Sequence, residues 1–230
     1  MRKNKAILTL LAASGAAALL AACTTPGMGG GNAMSFFISS AGSGKGADLG
    51  GLAGADALCQ RLAGAAGAGG KTWRAYLSVT PTLPTGNNPA VAAVHARDRI
   101  GKGPWYNAKG ELIASDVEQL HSRNNITKAS ALDERGNPIK GRGETPNEHD
   151  ILTGSRADGT AFAPQTDTTC GAWTKSGADG SAIVGHHDLT GPNNDNWAKS
   201  WNFSHQSAGC SQEALVRTGG SGKLYCFAAN

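Results

Sequence analysis

Aromatic side chains are scarce in this sequence: Phe, Trp and Tyr together make up 6% of 230 residues, against 33 glycines. A chain so poor in large anchors and so rich in glycine fits a loop-rich fold better than a helix bundle. Charge of one sign is also thin. Lys and Arg number 21 and Asp and Glu 17, which argues against a general nucleic-acid partner. No cysteine pair has the CxxC spacing of a redox or thiolate-zinc site. There is no GxSxG elbow and no HExxH helix, so the usual hydrolase signatures are missing. The one long apolar run, Ala6 to Ala22, is broken by Thr9, Ser14 and Gly15 and is too short for a convincing membrane span.

That run has a different reading. MRKNK is a short basic start, an alanine-rich apolar stretch follows, and Leu20-Ala21-Ala22-Cys23 ends it. This is the layout of a secretion signal. The LAAC sequence resembles the lipobox of bacterial lipoproteins, which implies cleavage before Cys23 and lipidation of Cys23; Thr24 after it, in place of Asp, resembles the signal for sorting to the bacterial outer membrane. Loss of residues 1–22 takes away Arg2, Lys3 and Lys5. The formal charge then falls from +4 to +1, and 230 − 22 = 208 residues remain. Residues 23–33 form a lipidated, Gly-rich tether. With no internal repeat and no second core in view, residues 34–230 read as one domain.

Four further cysteines remain: Cys59, Cys170, Cys210 and Cys226. An even number in an exported chain points to two disulfides, with three pairings open. Phe36, Phe37 and Ile38 form the apolar body of a strand. Leu52 to Ala66 places Leu52, Ala55, Cys59 and Leu62 on one helical stripe, and Gly67 stops it. Thr72 to Val79 alternates as a strand, with Trp73, Ala75 and Leu77 on one face. Arg97, Arg99 and Lys102 read as a solvated face paired to Asp98 rather than an anion site. The polar stretch from Asn107 to Asp150 promises only small packing contacts. Ile151 to Ser155 is a short strand, with a turn at Asp158-Gly159.

The segment from Cys170 to Cys226 holds Trp173, Trp197 and Trp201 with His186, His187 and His205, set among Gly, Asn, Asp, Ser and Thr. Such composition favours long loops fixed by cross-links and a few buried rings. Trp173 and Trp201 are expected in the core, and Trp197 exposed.

Three stretches in order carry a resemblance: Gly50 to Ser78, Leu152 to Phe162 followed by Cys170 and Trp173, and Cys210 with the Tyr225-Cys226-Phe227 ending. Together they resemble the endostatin-like branch of the C-type lectin-like fold. The resemblance implies an α+β domain with mixed, mostly antiparallel sheets, one or two helices and long loops. It also implies two nested disulfides, Cys59–Cys226 and Cys170–Cys210. Calcium-dependent lectins of this fold carry a Glu/Gln-Pro-Asn/Asp triplet and a Trp-Asn-Asp triplet. Here Gly191-Pro192-Asn193 and Trp201-Asn202-Phe203 each lack a ligand. Calcium is the one ion that the oxygen donors of Asn193 to Asn196 could serve; otherwise no cofactor is expected. The zinc site of endostatins uses N-terminal histidines, and none matches near residue 34.

His186-His187-Asp188 has zinc-ligand chemistry, but adjacent strand residues point to opposite faces, so it is read as no metal site. Glu148-His149-Asp150 has the same weakness. The residues expected to bind a ligand are Asn193, Asn194, Asp195, Asn196, Trp197, His205 and Gln206, whose amides, carboxylate and ring suit carbohydrate hydroxyls. The expected function is non-catalytic capture of an extracellular glycan, glycosaminoglycan-like chain or protein. A structural scaffold of the cell envelope that holds a protein partner is the competing expectation.

Overall fold

The computed structural model of the chain describes residues 34–229 except Asn88 and Gln165. The expected signal segment, Cys23 and the tether lie outside the described residues. In chain order the elements are β1 (Phe36–Ile38), α1 (Gly51–Ala65), β2 (Trp73–Ala75), β3 (Trp105–Tyr106), β4 (Leu112–Ala114), α2 (Val117–Ser122), β5 (Asp150–Leu152), α3 (Cys170–Trp173), β6 (Ile183–His186), β7 (His205–Gln206), α4 (Gln212–Thr218) and β8 (Gly220–Ala228). The protein is α+β. No helix among the described residues is long and apolar enough to cross a membrane.

The last strand is the hub. β8 pairs antiparallel with β1 and with β2, and parallel with β5; β6 and β7 extend the sheet beyond β5 in the order β1-β8-β5-β6-β7. β3 and β4 form a separate hairpin. Side-chain alternation divides neighbours between two apolar clusters. Phe37, Leu224 and Cys226 belong to one, with Ala55, Cys59 and Trp173. Phe36, Ile38, Tyr225 and Phe227 belong to the other, with Tyr76, Trp105 and Trp201. Both faces of the central strands are therefore covered.

Helix α1 forms where the apolar stripe sets it. Ala55, Leu58, Cys59 and Ala63 are buried at spacings of three, one and four. Its end is closed by two backbone bonds, Ala68 N–H to Ala63 O at 2.8 Å and Gly67 N–H to Gly64 O at 3.1 Å. That is the Schellman pattern, and it requires the positive φ of 78° that Gly67 adopts.

Both disulfides form as the resemblance implied. Cys59–Cys226 spans 167 residues and joins α1 to β8; Cys170–Cys210 spans 40 and ties α3 to the start of α4. α3 is not an ordinary helix: Cys170, Gly171, Ala172 and Trp173 all have φ between 46° and 68°. Left-handed backbone costs about 1–2 kcal/mol for each non-glycine residue. The turn is held by its disulfide and by Trp173, which is fully buried and donates from Nε1 to the Ser78 carbonyl at 2.7 Å.

Three expectations need correction. The stretch from Asn107 to Asp150 does more than make small contacts, since Ile113, Leu120, Ile126, Ala131 and Ile139 are all buried in the second cluster. Isolated apolar residues carry no periodicity, and only the fold gathers them. Arg99 does not pair with Asp98. Its Nη2 donates to both carboxylate oxygens of Asp56 in α1, at 2.7 and 2.8 Å, and its Nη1 to the Ala75 carbonyl. Four helices form among the described residues where one or two were expected, and Tyr76, on the face of its segment away from Trp73 and Leu77, is buried against Trp201, with ring centroids 4.8 Å apart.

Candidate functional site

Two features adjoin at the β6–β7 end of the sheet. The first is a buried cluster of imidazoles around one carboxylate. In the β5–β6 ladder Asp150 stands opposite His186, and in the β6–β7 ladder His205 stands opposite Val184, two residues from His186. Residues two apart share a face, so pairing register alone puts Asp150, His186 and His205 on one side of three adjacent strands. His149 joins them from just before β5 starts, where strand alternation does not yet apply. Its carbonyl accepts from His187 N–H at 3.2 Å.

Asp150 Oδ1 lies 3.1 Å from His149 Nε2, 3.2 Å from His186 Nε2 and 3.6 Å from His205 Nε2. The Nε2 atoms of His186 and His205 are 2.9 Å apart. The rings of His149 and His186 stack at 4.2 Å between centroids. Asp150, His149 and His186 are almost wholly buried, whereas the His205 side chain is 29% exposed.

Each ring is oriented by a partner on its other nitrogen. His186 Nδ1 donates to the Ala198 carbonyl at 2.8 Å. His205 Nδ1 faces the Gln206 carbonyl at 3.1 Å. His149 Nδ1 faces Asp188 Oδ1 at 3.4 Å. Asp188 also accepts from the Arg142 N–H at 2.7 Å and the Thr190 N–H at 3.1 Å. Burial raises the Asp188 pKa, but these bonds, with the imidazole, outweigh it and hold the group well below the usual carboxylate range. His187 points away, its Nε2 donating to the Lys140 carbonyl at 3.1 Å, and burial pushes its pKa down to about 4.

Sequence reasoning considered His186-His187-Asp188 and Glu148-His149-Asp150 separately. The fold takes one histidine from the first group and a His-Asp pair from the second. Adjacent strand side chains diverge, as His186 and His187 do. The missing information was register: which strand lies beside which.

The second feature is the surface loop from Gly191 to Ser200. Asn193, Asn194, Asp195 and Asn196 are exposed, and Trp197 is 37% exposed. Asp195 Oδ2 accepts from Asn193 Nδ2 at 2.9 Å and from Trp197 Nε1 at 3.1 Å, so the carboxylate pins the indole. Gln206 is exposed on the edge strand β7, while His205 turns into the cluster. The loop sits on β6 through Gly185, where a Cβ would come 1.8 Å from the Trp201 carbonyl. Asn202 is consumed by structure, its amide donating to Tyr76 Oη and to the Arg156 and Ala157 carbonyls.

Between this loop and α2 runs a groove of about 370 Å³, lined in part by Arg123, Asn124, Asn196, Lys199 and Ser200, with Trp201 at its floor. Arg123 and Lys199 are exposed, and neither forms an ion pair among the described residues. Of the residues expected to bind a ligand, Asn196 alone lines this groove; Arg123 and Lys199, 76 positions apart in sequence, were not among them. No protein-family model matches the chain, and no curated protein matches its sequence.

Proposed function

We propose that this domain is a non-catalytic binding module of an exported, lipid-anchored bacterial protein, built on a C-type-lectin-like scaffold, and that its ligand is an anionic glycan of the glycosaminoglycan-like class. The observation that carries the reading is the groove between α2 and the 191–200 loop. It offers two unpaired cations, Arg123 and Lys199, together with the Asn124 and Asn196 amides and the Ser200 hydroxyl. Guanidinium and ammonium groups suit sulfate or carboxylate substituents, and amides and hydroxyls suit sugar hydroxyls. Trp197, half-exposed and held by Asp195, supplies a flat face at the loop for a sugar ring. The disulfides and the Gly185 contact make the loop's base rigid, which lowers the ordering cost of binding.

The test is a glycan array with the purified domain, followed by calorimetry on any hit. Wild type is expected to bind sulfated or uronic-acid chains with an affinity that weakens as salt rises. Arg123→Ala with Lys199→Ala abolishes the salt dependence, and Trp197→Ala weakens binding without changing stability. Absence of saturable binding to every sugar removes the glycan reading. One stoichiometric protein captured from envelope extracts would favour the scaffold reading in its place.

A further inference from the structure

We infer that His149, Asp150 and His186, with His205 beside them, form a binding site for one divalent transition-metal ion of the zinc class. The inference is independent of the glycan reading and stands on three observations.

The first is distance. Donor atoms of His149, Asp150 and His186 all lie within 4.8 Å of one another. The separations about Asp150 Oδ1 and between His186 and His205 run from 2.9 to 3.6 Å. A tetrahedral zinc with ligands at about 2.0–2.1 Å separates its donors by roughly 3.3 Å. The observed spacings bracket that edge length.

The second is the carboxylate. Asp150 is buried, and neither of its oxygens has a hydrogen-bond partner. Three imidazole nitrogens come within 3.6 Å of Oδ1, yet none is aligned to donate to it. A buried, unbonded carboxylate is among the costliest groups in a protein interior. His186 and His205 can share a proton between their Nε2 atoms at 2.9 Å, but the Asp150 oxygens have no such partner, and a cation among these groups would supply one. The Ser204 hydroxyl does not relieve this, since it is 3.1 Å from both ring nitrogens of His186 and so lies on neither lone-pair axis.

The third is the tautomers. Nδ1 of His186 and of His205 faces a backbone carbonyl, and Nδ1 of His149 faces the Asp188 carboxylate. Each acceptor favours the proton on Nδ1, which frees Nε2 to ligate, and an ion then takes the place of the proton shared between His186 and His205 at 2.9 Å. Metal-ligating histidines are oriented in this way, and His149–Asp188 is the carboxylate–histidine form of it.

Three imidazoles and one carboxylate select zinc, cobalt or copper over calcium or magnesium, which take oxygen ligands. His149, Asp150 and His186 supply three mutually close donors, and His205, 2.9 Å from His186 Nε2 and 3.6 Å from Asp150 Oδ1, becomes the fourth by closing onto the ion. His205 is the outermost ligand and the route of entry. The ion ties β5, β6 and β7 together. Through the Ala198 carbonyl on His186 it also steadies the end of the loop that bears Trp197.

The test uses the disulfide-intact protein, stripped with chelator and dialysed. Zn²⁺ alone, added in titration, is expected to bind at one equivalent and raise the Tm, with Ca²⁺ and Mg²⁺ doing neither. Co²⁺ alone is expected to give the intense visible bands of tetrahedral coordination. His205→Gln retains the ion with affinity reduced at least 10-fold and altered Co²⁺ bands. Asp150→Asn abolishes stoichiometric binding. Wild-type protein that takes up no stoichiometric Zn²⁺ or Co²⁺ overturns the inference, whether or not the Asp150 variant folds. Tight binding left unchanged in His205→Gln overturns the assignment of His205 as a ligand.

Discussion

Asp56 is the sharpest place to test how this loop-rich domain is held together. Its carboxylate lies on the inner side of α1 and accepts from the Ala75 N–H at 2.9 Å, from Arg99 Nη2 onto both oxygens at 2.7 and 2.8 Å, and from Arg74 at 2.6 Å. The two arginines are not equal. The Arg74 side chain is 46% exposed and Arg99 only 11%. Water screens the first pair, which contributes under about 1 kcal/mol. Removing Asp56 leaves the Arg99 guanidinium buried with only the Ala75 carbonyl, so Asp56→Ala is expected to cost about 3–5 kcal/mol. In a domain of this size that lowers Tm by about 6–20 °C. The assay is urea unfolding with both disulfides intact, run as a cycle with Arg99→Met. If the cost is the stranded charge, Asp56→Ala with Arg99→Met recovers most of the loss, to within about 1–2 kcal/mol of wild type. A loss under about 1 kcal/mol for Asp56→Ala, or a double variant as unstable as the sum of the singles, refutes the reasoning.

Removing both cysteines of Cys59–Cys226 is expected to cost about 5 kcal/mol and of Cys170–Cys210 about 4 kcal/mol, from loop closure over 167 and 40 residues; denaturant titration of each pair variant checks the order. His121 accepts from Tyr76 Oη at 2.8 Å, and its Nδ1 donates to the Val117 carbonyl at 2.7 Å. Burial, helped by Arg97, pushes its pKa below the ordinary histidine value. A depressed histidine is protonated first in the unfolded chain, so its contribution is complete above about pH 6.5 and lost as pH falls below that value. His121→Gln should lose less stability than wild type between pH 7.5 and 5.5; equal losses would sink the assignment. A Cβ at Gly219 would meet His149 Nε2 at 3.1 Å, at a φ of 129°. Gly219→Ala is therefore expected to lower both Tm and Zn²⁺ affinity, measured on the same stripped protein.

Much of the scaffold was legible in the residues alone. The apolar spacing of α1 and its Gly67 stop, the strand cores at Phe36–Ile38 and Trp73–Ala75, and the burial of Trp173 and Trp201 all follow from local periodicity or residue size. Local chemistry is written in consecutive residues, so a sequence determines it by itself. The even number of cysteines beyond Cys23 points to two cross-links, whereas the packing of the few aromatic rings into a core around β8 is visible only in the fold.

Tertiary structure alone decided the rest. Arg99 chose Asp56 over its neighbour Asp98, because the helix presents a buried carboxylate at the strand end where Arg99 arrives. Ile113, Leu120 and Ile126 became core only when the sheet's second face needed cover. His149, Asp150, His186 and His205 come from three strands and the residue preceding one of them. Their convergence depends on which strands are neighbours and in what register, and that choice is made by the whole chain's burial, not by any segment of it.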